Sequence, residues 1–390
     1  MKILFLSAAL LTALLLTVPQ LGFLISNPEY VPHDTRMTAP NDDVPDTDTA
    51  PESVSVHTDS ETAATDTASD TVQVAAIPAA IPKETETTVC ETTAHASAVL
   101  TEPCVTAPPH TEETAAVPSD PSGYDRRTML QIQGETEDYE ISMHDYLIGV
   151  VMAEMPASFH EQALCAQAVA ARSYLLYRRD NGFRIPDYGS SSTAHFTEAE
   201  GRAFFGEHYP SVLDAVTAAV EETDGVVLTY DGDYCCAAYH AMSYGCTEDG
   251  AAVWGGDEPY LVSVATPEGA DIHGMTTTAD YDEASLCVML GVKAALPLHV
   301  TRTDAGRLAA VTAADGTVIT GERFRACLRL RATSVEITAQ NCDTVSLRVR
   351  GYGHGVGMSQ YGADAYADAG WTYQEILAHY YPGTTLGLMP

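Results

Sequence analysis

The strongest hydrophobic pattern lies in residues 159–179, where apolar side chains recur at spacings of four, three and four: Leu164, Ala168, Ala171 and Leu175. This period lines one face of an α-helix and predicts a helix from Phe159 to Arg179. Ser158 followed by Glu161 predicts a capping box at its start, and Asn181-Gly182 predicts its end. Arg172 is expected on the polar side of this helix, facing solvent or a groove.

Shorter apolar segments separated by turn residues predict strands: Met129 to Ile141 (a hairpin), Val226 to Tyr230, Tyr234 to His240, Val300 to Thr320 and Ser334 to Val349. Helical patterns predict further helices: Met143 to Ala153, Tyr209 to Thr223, Met358 to Ala369 and Tyr373 to Tyr380. Because helices and strands do not alternate regularly, an α+β fold is favoured over a doubly wound one. We expect mixed helices and antiparallel strands around one catalytic groove.

The first third of the chain lacks such periods. Ile3 to Val18 is apolar, and residues 1–26 are long enough to cross a bilayer, for which about 20 residues are needed. A single-pass membrane anchor and a cleaved signal sequence both fit, and either places the remainder outside the cytosol. Residues 27–122 hold 18 acidic side chains against two basic ones and are rich in Thr, Ala and Pro, as in a disordered spacer. The folded domain is expected at residues 123–390.

Charge and cysteine content restrict the partners of this domain. The chain has a formal net charge of −35, and residues 123–390 hold 36 acidic side chains against 16 basic ones. Such a surface repels a phosphate backbone, so no nucleic-acid partner is expected. Seven cysteines at irregular spacing do not suggest a disulfide framework. Cys235 and Cys236 are adjacent on a predicted strand and point to opposite faces, so one of them is expected to be buried.

One carboxylate has a sequence setting suited to acid catalysis. Glu154 follows an apolar run and precedes Met155-Pro156, where the pre-proline position restricts the backbone to extended conformations. Burial in apolar surroundings disfavours the charged form of a carboxyl group and raises its pKa, as a proton donor requires. A surface acid between two helices is the alternative interpretation. Cys165, in the middle of a helix, is a poor candidate for an activated thiolate.

The glycine-spaced loop GYGHGVG, residues 351–357, carries His354 and is followed by Gln360. It does not fit a dinucleotide-binding loop, since G-x-G-x-x-G would need glycine at Val356 or Met358. The alternate glycines predict a tight, extended backbone in close approach to a packing partner or to a ligand.

A polar rim suited to a sugar is expected in the segment YHAMSYGCTEDGAAVWGG, from these residues: His240, Ser243, Thr247 and Trp254. An aromatic face such as that of Trp254 packs against the apolar side of a sugar ring. His240 and Cys246 alone do not make a zinc site, which needs more ligands at characteristic spacings.

Six motifs of the domain resemble, in order, those of the stage II sporulation protein D family: EMP, ALCAQAVAAR, VLTYDG, TEDGAAVWGG, GHGVGMSQYGA and EILAHYYPGTTL. The resemblance implies a peptidoglycan lytic transglycosylase that cuts glycan strands whose stem peptides have been removed. It also implies that Glu154 is the catalytic acid and that Arg172 affects activity. Zinc-binding members carry cysteines after the long helix, whereas PDYGSSSTAHFTEA here contains only His195, so neither a metal nor another cofactor is expected.

One carboxylate suffices for such a reaction if the sugar supplies the nucleophile. Hydrolytic glycosidases generally use two carboxylates, and no second acid lies beside Glu154 in its motif. The C6 hydroxyl can instead attack, giving a 1,6-anhydro end, with the strand positioned by these residues: Arg172, His240, His354 and Gln360. The alternatives are a hydrolase that uses water and a non-catalytic cell-wall module that activates a partner amidase, because amidase enhancers are relatives in this family. Expected partners are peptidoglycan, a cell-wall amidase and other sporulation membrane proteins.

Overall fold

The computed structural model describes the following residues: 123–133, 137–183, 185–186, 194–256, 258–268 and 272–390. The expected anchor (1–26) and spacer (27–122) lie outside them, so these two assignments stay predictions. None of the helices in the described ranges has the length and apolar character needed to cross a membrane. The described residues form helices and mainly antiparallel sheets, which confirms the α+β class.

The helices have these bounds: α1 Tyr124–Arg127, α2 Met143–Glu154, α3 Glu161–Asp180, α4 Glu198–Phe205, α5 Tyr209–Glu222, α6 Gly250–Trp254, α7 Glu283–Leu290, α8 Gly321–Leu328, α9 Gln360–Asp368 and α10 Tyr373–Tyr380. The strands have these bounds: β1 Met129–Gln133, β2 Tyr139–Ser142, β3 Ile185–Pro186, β4 Val226–Tyr230, β5 Asp233–Tyr234, β6 Tyr239–His240, β7 Thr276–Asp282, β8 His299–Arg302, β9 Leu308–Thr312, β10 Val318–Thr320, β11 Ser334–Gln340, β12 Thr344–Arg350, β13 Met358–Ser359 and β14 Thr385–Leu388.

Most predicted elements are present, with ends shifted by a few residues. The expected strand from Tyr234 to His240 is instead two short strands, β5 and β6, joined by irregular backbone. Its two cysteines behave as expected, since Cys235 is buried and Cys236 is partly exposed. The patterns gave no sign of several short elements: α4, α6, α7, α8, β7 and β14.

Helix α3 lies at the centre of the larger apolar core. Its predicted apolar stripe is buried, but so is every other side of the helix between Ala163 and Ser173. Its N-cap is His160, whose Nδ1 accepts from the Gln162 backbone N–H at 3.2 Å. The expected Ser158 and Glu161 capping box is therefore wrong, because the chain turns into the helix two residues later than the pattern indicated.

The strands belong to several small sheets rather than to one large sheet. Strands β11, β12 and β7 pair antiparallel, as do β10, β9 and β8, and a second apolar core lies among these strands and helices α7 and α8. Strand β4 pairs antiparallel with β14 and β5 beside the larger core. Two short parallel strands, β6 and β13, bring residues 239–240 and 358–359 side by side.

The guanidinium of Arg172 lies inside the domain. It is fully buried, donates from Nε and Nη2 to both carboxylate oxygens of Asp125 at 2.6–3.1 Å, and donates from Nη1 to the Val226 carbonyl at 2.9 Å. Asp125, on α1, is fully buried as well. The expectation that Arg172 faces a groove is wrong, because the polar side of α3 is itself enclosed. The effect of Arg172 on activity stays a prediction, and this geometry would transmit it through the fold.

We expect Asp125→Asn to lower the free energy of unfolding by about 3 kcal/mol or more, because it leaves the Arg172 charge buried without a counter-charge. Replacing both residues, as Asp125→Leu with Arg172→Met, should be less destabilising than Asp125→Asn alone, which a denaturant titration measures. The exposed pair of Arg126 with Glu221 provides the control, since Glu221→Gln should cost less than about 1 kcal/mol. An Asp125→Asn variant of native stability would contradict this description of the pair.

Candidate active site

Glu154 is the last residue of helix α2 and is only 4% exposed. Its Oε1 accepts a hydrogen bond from the Ala194 backbone N–H at 2.6 Å, and its Oε2 has no partner among the described residues. Burial raises the pKa of this carboxyl group to about 7, and the Ala194 hydrogen bond and the nearby Gln360 side chain offset part of that effect. Glu154 can therefore hold a proton near neutral pH, as its sequence setting predicted.

A close contact with α2 brings Ala194 to this carboxylate. The Phe196 backbone N–H donates to the Gly149 carbonyl at 3.0 Å, and the His195 ring stacks on Tyr146 with centroids 4.5 Å apart. A Cβ atom at Gly149 would lie 2.4 Å from the Phe196 carbonyl oxygen and 2.5 Å from His195 Nε2. Only glycine at this position allows the segment to approach closely enough to place the Ala194 N–H on Glu154.

Two residues near Glu154 escaped the sequence reasoning. Gln167, on α3, is buried, accepts from Gln360 Nε2 at 3.4 Å, and has no partner for its own Nε2. The Tyr239 hydroxyl is also buried without a partner among the described residues, and burial together with the Glu154 charge raises its pKa. Buried polar atoms are normally hydrogen-bonded, so the unpartnered Tyr239 hydroxyl and Gln167 Nε2 suit a hydroxyl-rich ligand. Gln167 lies within the predicted helix, and its amide among apolar neighbours was the available signal.

His240, on β6, and Ser243, three residues later, are buried and hydrogen-bonded to each other. His240 Nε2 and Ser243 Oγ are 2.6 Å apart, and His240 Nδ1 lies 3.1 Å from the Val356 carbonyl. Arg307 Nη2 donates to the same Ser243 hydroxyl at 3.0 Å. Burial is the main cause that lowers the pKa of His240 well below 6.5, and the charges of neighbouring groups lower it further. The His240 ring is therefore neutral at physiological pH. The structure thus brings His240, Ser243 and Gln360 together along β6 and β13.

The His354 ring lies close to the His240 ring, with the two centroids 5.7 Å apart. Its Nδ1 accepts from the Val356 backbone N–H at 3.1 Å, and the Trp254 ring lies 4.9 Å away. Trp254 is 51% exposed, so an aromatic face remains accessible beside the polar groups. Desolvation and the nearby arginines lower the pKa of His354, which keeps this ring neutral as well.

Thr247 is not part of this group. It is fully buried, and its hydroxyl accepts from the Val264 backbone N–H at 2.9 Å. The structure uses Thr247 to hold the segment at Val264, so its proposed contact with a sugar has no geometric support here and stays a prediction.

The glycines of the loop at residues 351–357 serve packing. All four have φ between 69° and 105°, so the backbone is left-handed at these points and the predicted extended conformation is wrong. A Cβ atom at Gly357 would lie 2.0 Å from the Ala238 carbonyl oxygen, and one at Gly353 would lie 2.9 Å from the His240 Cβ. The close approach that the sequence predicted is therefore made to the strand that carries His240.

Another buried carboxylate, Glu268, also escaped the sequence reasoning. It accepts hydrogen bonds from the Ser243 backbone N–H at 2.6 Å and from the hydroxyls of Ser359 and Thr266. Burial raises the pKa of Glu268, but its oxygens are occupied by these donors. Because Ser359 is the N-cap of α9, Glu268 fixes the position of Gln360 and has the role of a positioning residue.

No cluster of three or more His, Cys, Asp or Glu side chains within the described ranges is arranged to hold a metal ion. Cys165 is buried, and its pKa is raised to about 12, mainly by desolvation, which agrees with an unreactive thiol. The expectation of a site without metal or cofactor stays a prediction.

Glu154 is a buried carboxyl group that holds a proton near neutral pH and keeps one oxygen without a partner among the described residues, so this α+β domain has a candidate acid catalyst. Residues 132–230, which include Glu154, match the family model described as Stage II sporulation protein. The chain is 34% identical over 256 residues to stage II sporulation protein D of Bacillus subtilis (strain 168), covering 63% of this chain and 74% of that protein. The protein of the same name from Bacillus amyloliquefaciens is 33% identical over the same shares.

An amidase enhancer of Bacillus subtilis (strain 168) is also similar, with 31% identity over 62% of this chain and 40% of that protein. The chain belongs to the stage II sporulation protein D family. The resemblance seen in its sequence motifs is thereby confirmed, and membership of this family supports a role related to sporulation and the cell wall.

We expect Glu154→Gln to raise the free energy of unfolding above pH 7. The pKa of Glu154 is about 7 in the folded state and 4.5 in the reference state, so the folded protein binds the proton more tightly. The stability that this proton provides is complete below pH 4.5 and is lost as the pH rises through 7. An amide does not ionise, so the advantage of the variant should grow across this window to about 3 kcal/mol. Unfolding titrations from about pH 4 to about pH 9 measure this difference.

Glu198→Gln, at an exposed position of α4, is the control for this experiment. If Glu154→Gln and the native chain lost stability in parallel with rising pH, the raised pKa of Glu154 would be wrong.

Proposed function

We propose that this protein is a peptidoglycan lytic transglycosylase that cleaves denuded glycan strands and leaves 1,6-anhydro sugar ends. The observation that carries the proposal is Glu154, which is buried, has a pKa of about 7 and holds one oxygen without a partner. A carboxyl group that is protonated in part of the molecules near neutral pH can act as an acid and then, after losing its proton, as a base.

The reaction needs one proton donor and one proton acceptor at successive moments. Protonated Glu154 gives its proton to the glycosidic oxygen as the bond to C1 breaks. The resulting carboxylate then takes the proton of the C6 hydroxyl as that oxygen bonds to C1, which closes the anhydro ring and restores the acid. Atoms and charges balance without water, which agrees with the absence of a second acid in the motif of Glu154.

The neighbours of Glu154 have separate tasks in this proposal. The Tyr239 hydroxyl and the Gln167 Nε2 group, which have no partner among the described residues, form hydrogen bonds with sugar hydroxyls. Gln360 lies near the carboxyl group of Glu154 and orients it. His240 and His354 are neutral, so they contribute hydrogen bonds and packing rather than charge. Preorganised donors of this kind strengthen as charge develops in the transition state.

The rival function is that of a non-catalytic module that stimulates a cell-wall amidase. The similarity to an amidase enhancer supports this alternative. In either role we infer an extracytoplasmic protein held at the cell membrane by residues 1–26, with cell-wall peptidoglycan as ligand and an amidase among its partners. The excess of acidic side chains disfavours nucleic acid as a ligand.

Mass spectrometry of the products formed from purified denuded glycan decides between these functions. We expect anhydro ends from the native chain and at least about a hundredfold slower release from Glu154→Gln, because general acid catalysis typically contributes that much or more. Glu161→Gln, at an exposed position on α3, is the matched control and should keep native turnover. Reducing ends would indicate a hydrolase, and intact glycan together with a stimulated amidase would indicate an enhancer.

We also expect full activity after exhaustive treatment with a chelator, because the stretch that would carry zinc ligands in this family has no cysteine here. The measurement is the rate of glycan release before and after chelation and dialysis. Loss of activity that zinc alone restores would overturn this expectation.

A further inference from the structure

Arg307 is a buried cation for which the described residues supply no paired charge. Its side chain is 3% exposed, and no carboxylate of the described ranges lies within ion-pair distance of it. Its Nη1 atom has no hydrogen-bond partner there either. Arg172 is the useful comparison, because that equally buried guanidinium is neutralised by Asp125 on both oxygens. Burial of an unpaired charge costs much more free energy than burial of a paired one.

The surroundings of Arg307 fix the direction of its guanidinium. Nη2 donates to the Ser243 hydroxyl at 3.0 Å, and that hydroxyl is held 2.6 Å from His240 Nε2. The backbone of Gly355 packs against the group from the loop side, where an added Cβ atom would lie 2.5 Å from Arg307 Cζ. Nη1 is therefore the arm of Arg307 that has no acceptor among the described residues.

Three carboxylates act on Arg307 by charge without a hydrogen bond or ion pair to it: Glu248, Glu268 and Glu322. Glu248 accepts instead from the Thr303 hydroxyl at 2.6 Å and from the Asp249 backbone N–H at 2.9 Å. Glu268 is occupied by Ser243, Ser359 and Thr266, as described above. Glu322 pairs through Oε2 with Arg325 at 3.1 Å, and its Oε1 has no hydrogen-bond partner among the described residues. None of the three carboxylates therefore accepts a hydrogen bond from Arg307 Nη1.

The position of Arg307 connects it to the groups around Glu154. Ser243 follows β6, where His240 lies opposite Ser359 in the parallel pairing with β13, and Gln360 comes next. On the far side lies the half-exposed ring of Trp254, which contacts His354 and offers a face to a sugar. A buried cation connected to an exposed aromatic ring through Ser243 and the two histidines is an arrangement suited to an acidic sugar.

We propose that Arg307 binds the lactyl carboxylate of an N-acetylmuramic acid residue from which the stem peptide has been removed. The proposal rests on the proposed function, since it specifies which glycan this same site accepts. While the stem peptide is attached, the lactyl group is an uncharged amide. Hydrolysis of that amide leaves a carboxylate and releases the peptide amine, and only the carboxylate provides the anion that Nη1 lacks. Arg307 is therefore the residue that distinguishes denuded strands from peptide-bearing strands.

Protein atoms cover Nη1, so binding requires a local movement beside Arg307. Trp254 reports that movement, because it contacts His354 in the same loop, while Trp371, the other tryptophan of the chain, is buried with the Tyr366 ring at 4.2 Å. Tryptophan fluorescence can therefore follow the titration of a glycan into the full-length chain.

The experiment uses full-length Glu154→Gln, so that no cleavage disturbs the equilibrium. Three probes of equal length are titrated: denuded glycan, the same glycan with its lactyl carboxyl groups reduced to alcohols, and a chitooligosaccharide. We expect the denuded glycan to bind at least about tenfold more tightly than the reduced glycan and the chitooligosaccharide, because a charge-assisted hydrogen bond to its carboxylate contributes that much affinity. Adding Arg307→Met should abolish this preference, and adding Arg307→Lys should keep part of it.

Arg323→Met, which removes an exposed arginine from α8, is the control for the change in net charge and should keep the full preference. Circular dichroism verifies the fold of each variant, and the comparison of the three probes on Glu154→Gln alone tests the proposal even if Arg307→Met does not fold. Equal binding of all three probes, or a preference that survives Arg307→Met, would overturn it. If the native chain cuts no glycan while the preference depends on Arg307, the proposed function fails and the role of Arg307 stands.

Discussion

The candidate site depends on the parallel pairing of two strands that contribute only two residues each. Met358 lies opposite Tyr239 and Ser359 opposite His240, although more than a hundred residues separate them in the chain. A pairing this short is weak by itself, so the left-handed glycines beside it, which let the loop pack onto the first strand, are essential to its stability. Through this contact the Gln360 amide and the Tyr239 hydroxyl both reach the neighbourhood of Glu154.

Charged groups of the same type have opposite roles in this domain, and their hydrogen bonds explain why. Glu268 and Glu154 are both buried carboxyl groups with raised pKa values. The oxygens of Glu268 accept hydrogen bonds from backbone and hydroxyl donors, whereas Glu154 keeps one oxygen without a partner among the described residues. Arg172 and Arg307 form a parallel contrast. The satisfied member of each pair holds the fold together, and the unsatisfied member is the one to which we assign chemistry or binding in our proposals.

Long-range contacts account for most of what the sequence could not predict. The helix around Leu164 and the acid at Glu154 were readable, because local periodicity and a stiff pre-proline turn determine them. Arg172 was misread because periodicity identifies an apolar stripe and gives no sign that the opposite side will be covered by α1 and β4. Ala194 and Glu268 were not seen at all, since a backbone N–H and a loop carboxylate gain their roles only from residues 40 and 91 positions away.

The enclosure of helix α3 also sets an order of events during synthesis. Its N-terminal end is held from the far end of the chain, by the His160 N–H on Asp364 and by Gln162 on the Tyr373 N–H, across 204 and 211 residues. Contacts of such separation form late, after the loop between them has closed. A growing chain can assemble its early helices as soon as they emerge, but Glu154 has its amide neighbour from Gln360 only after residue 360 has been added. A prematurely terminated chain would thus carry the acid without its complete surroundings.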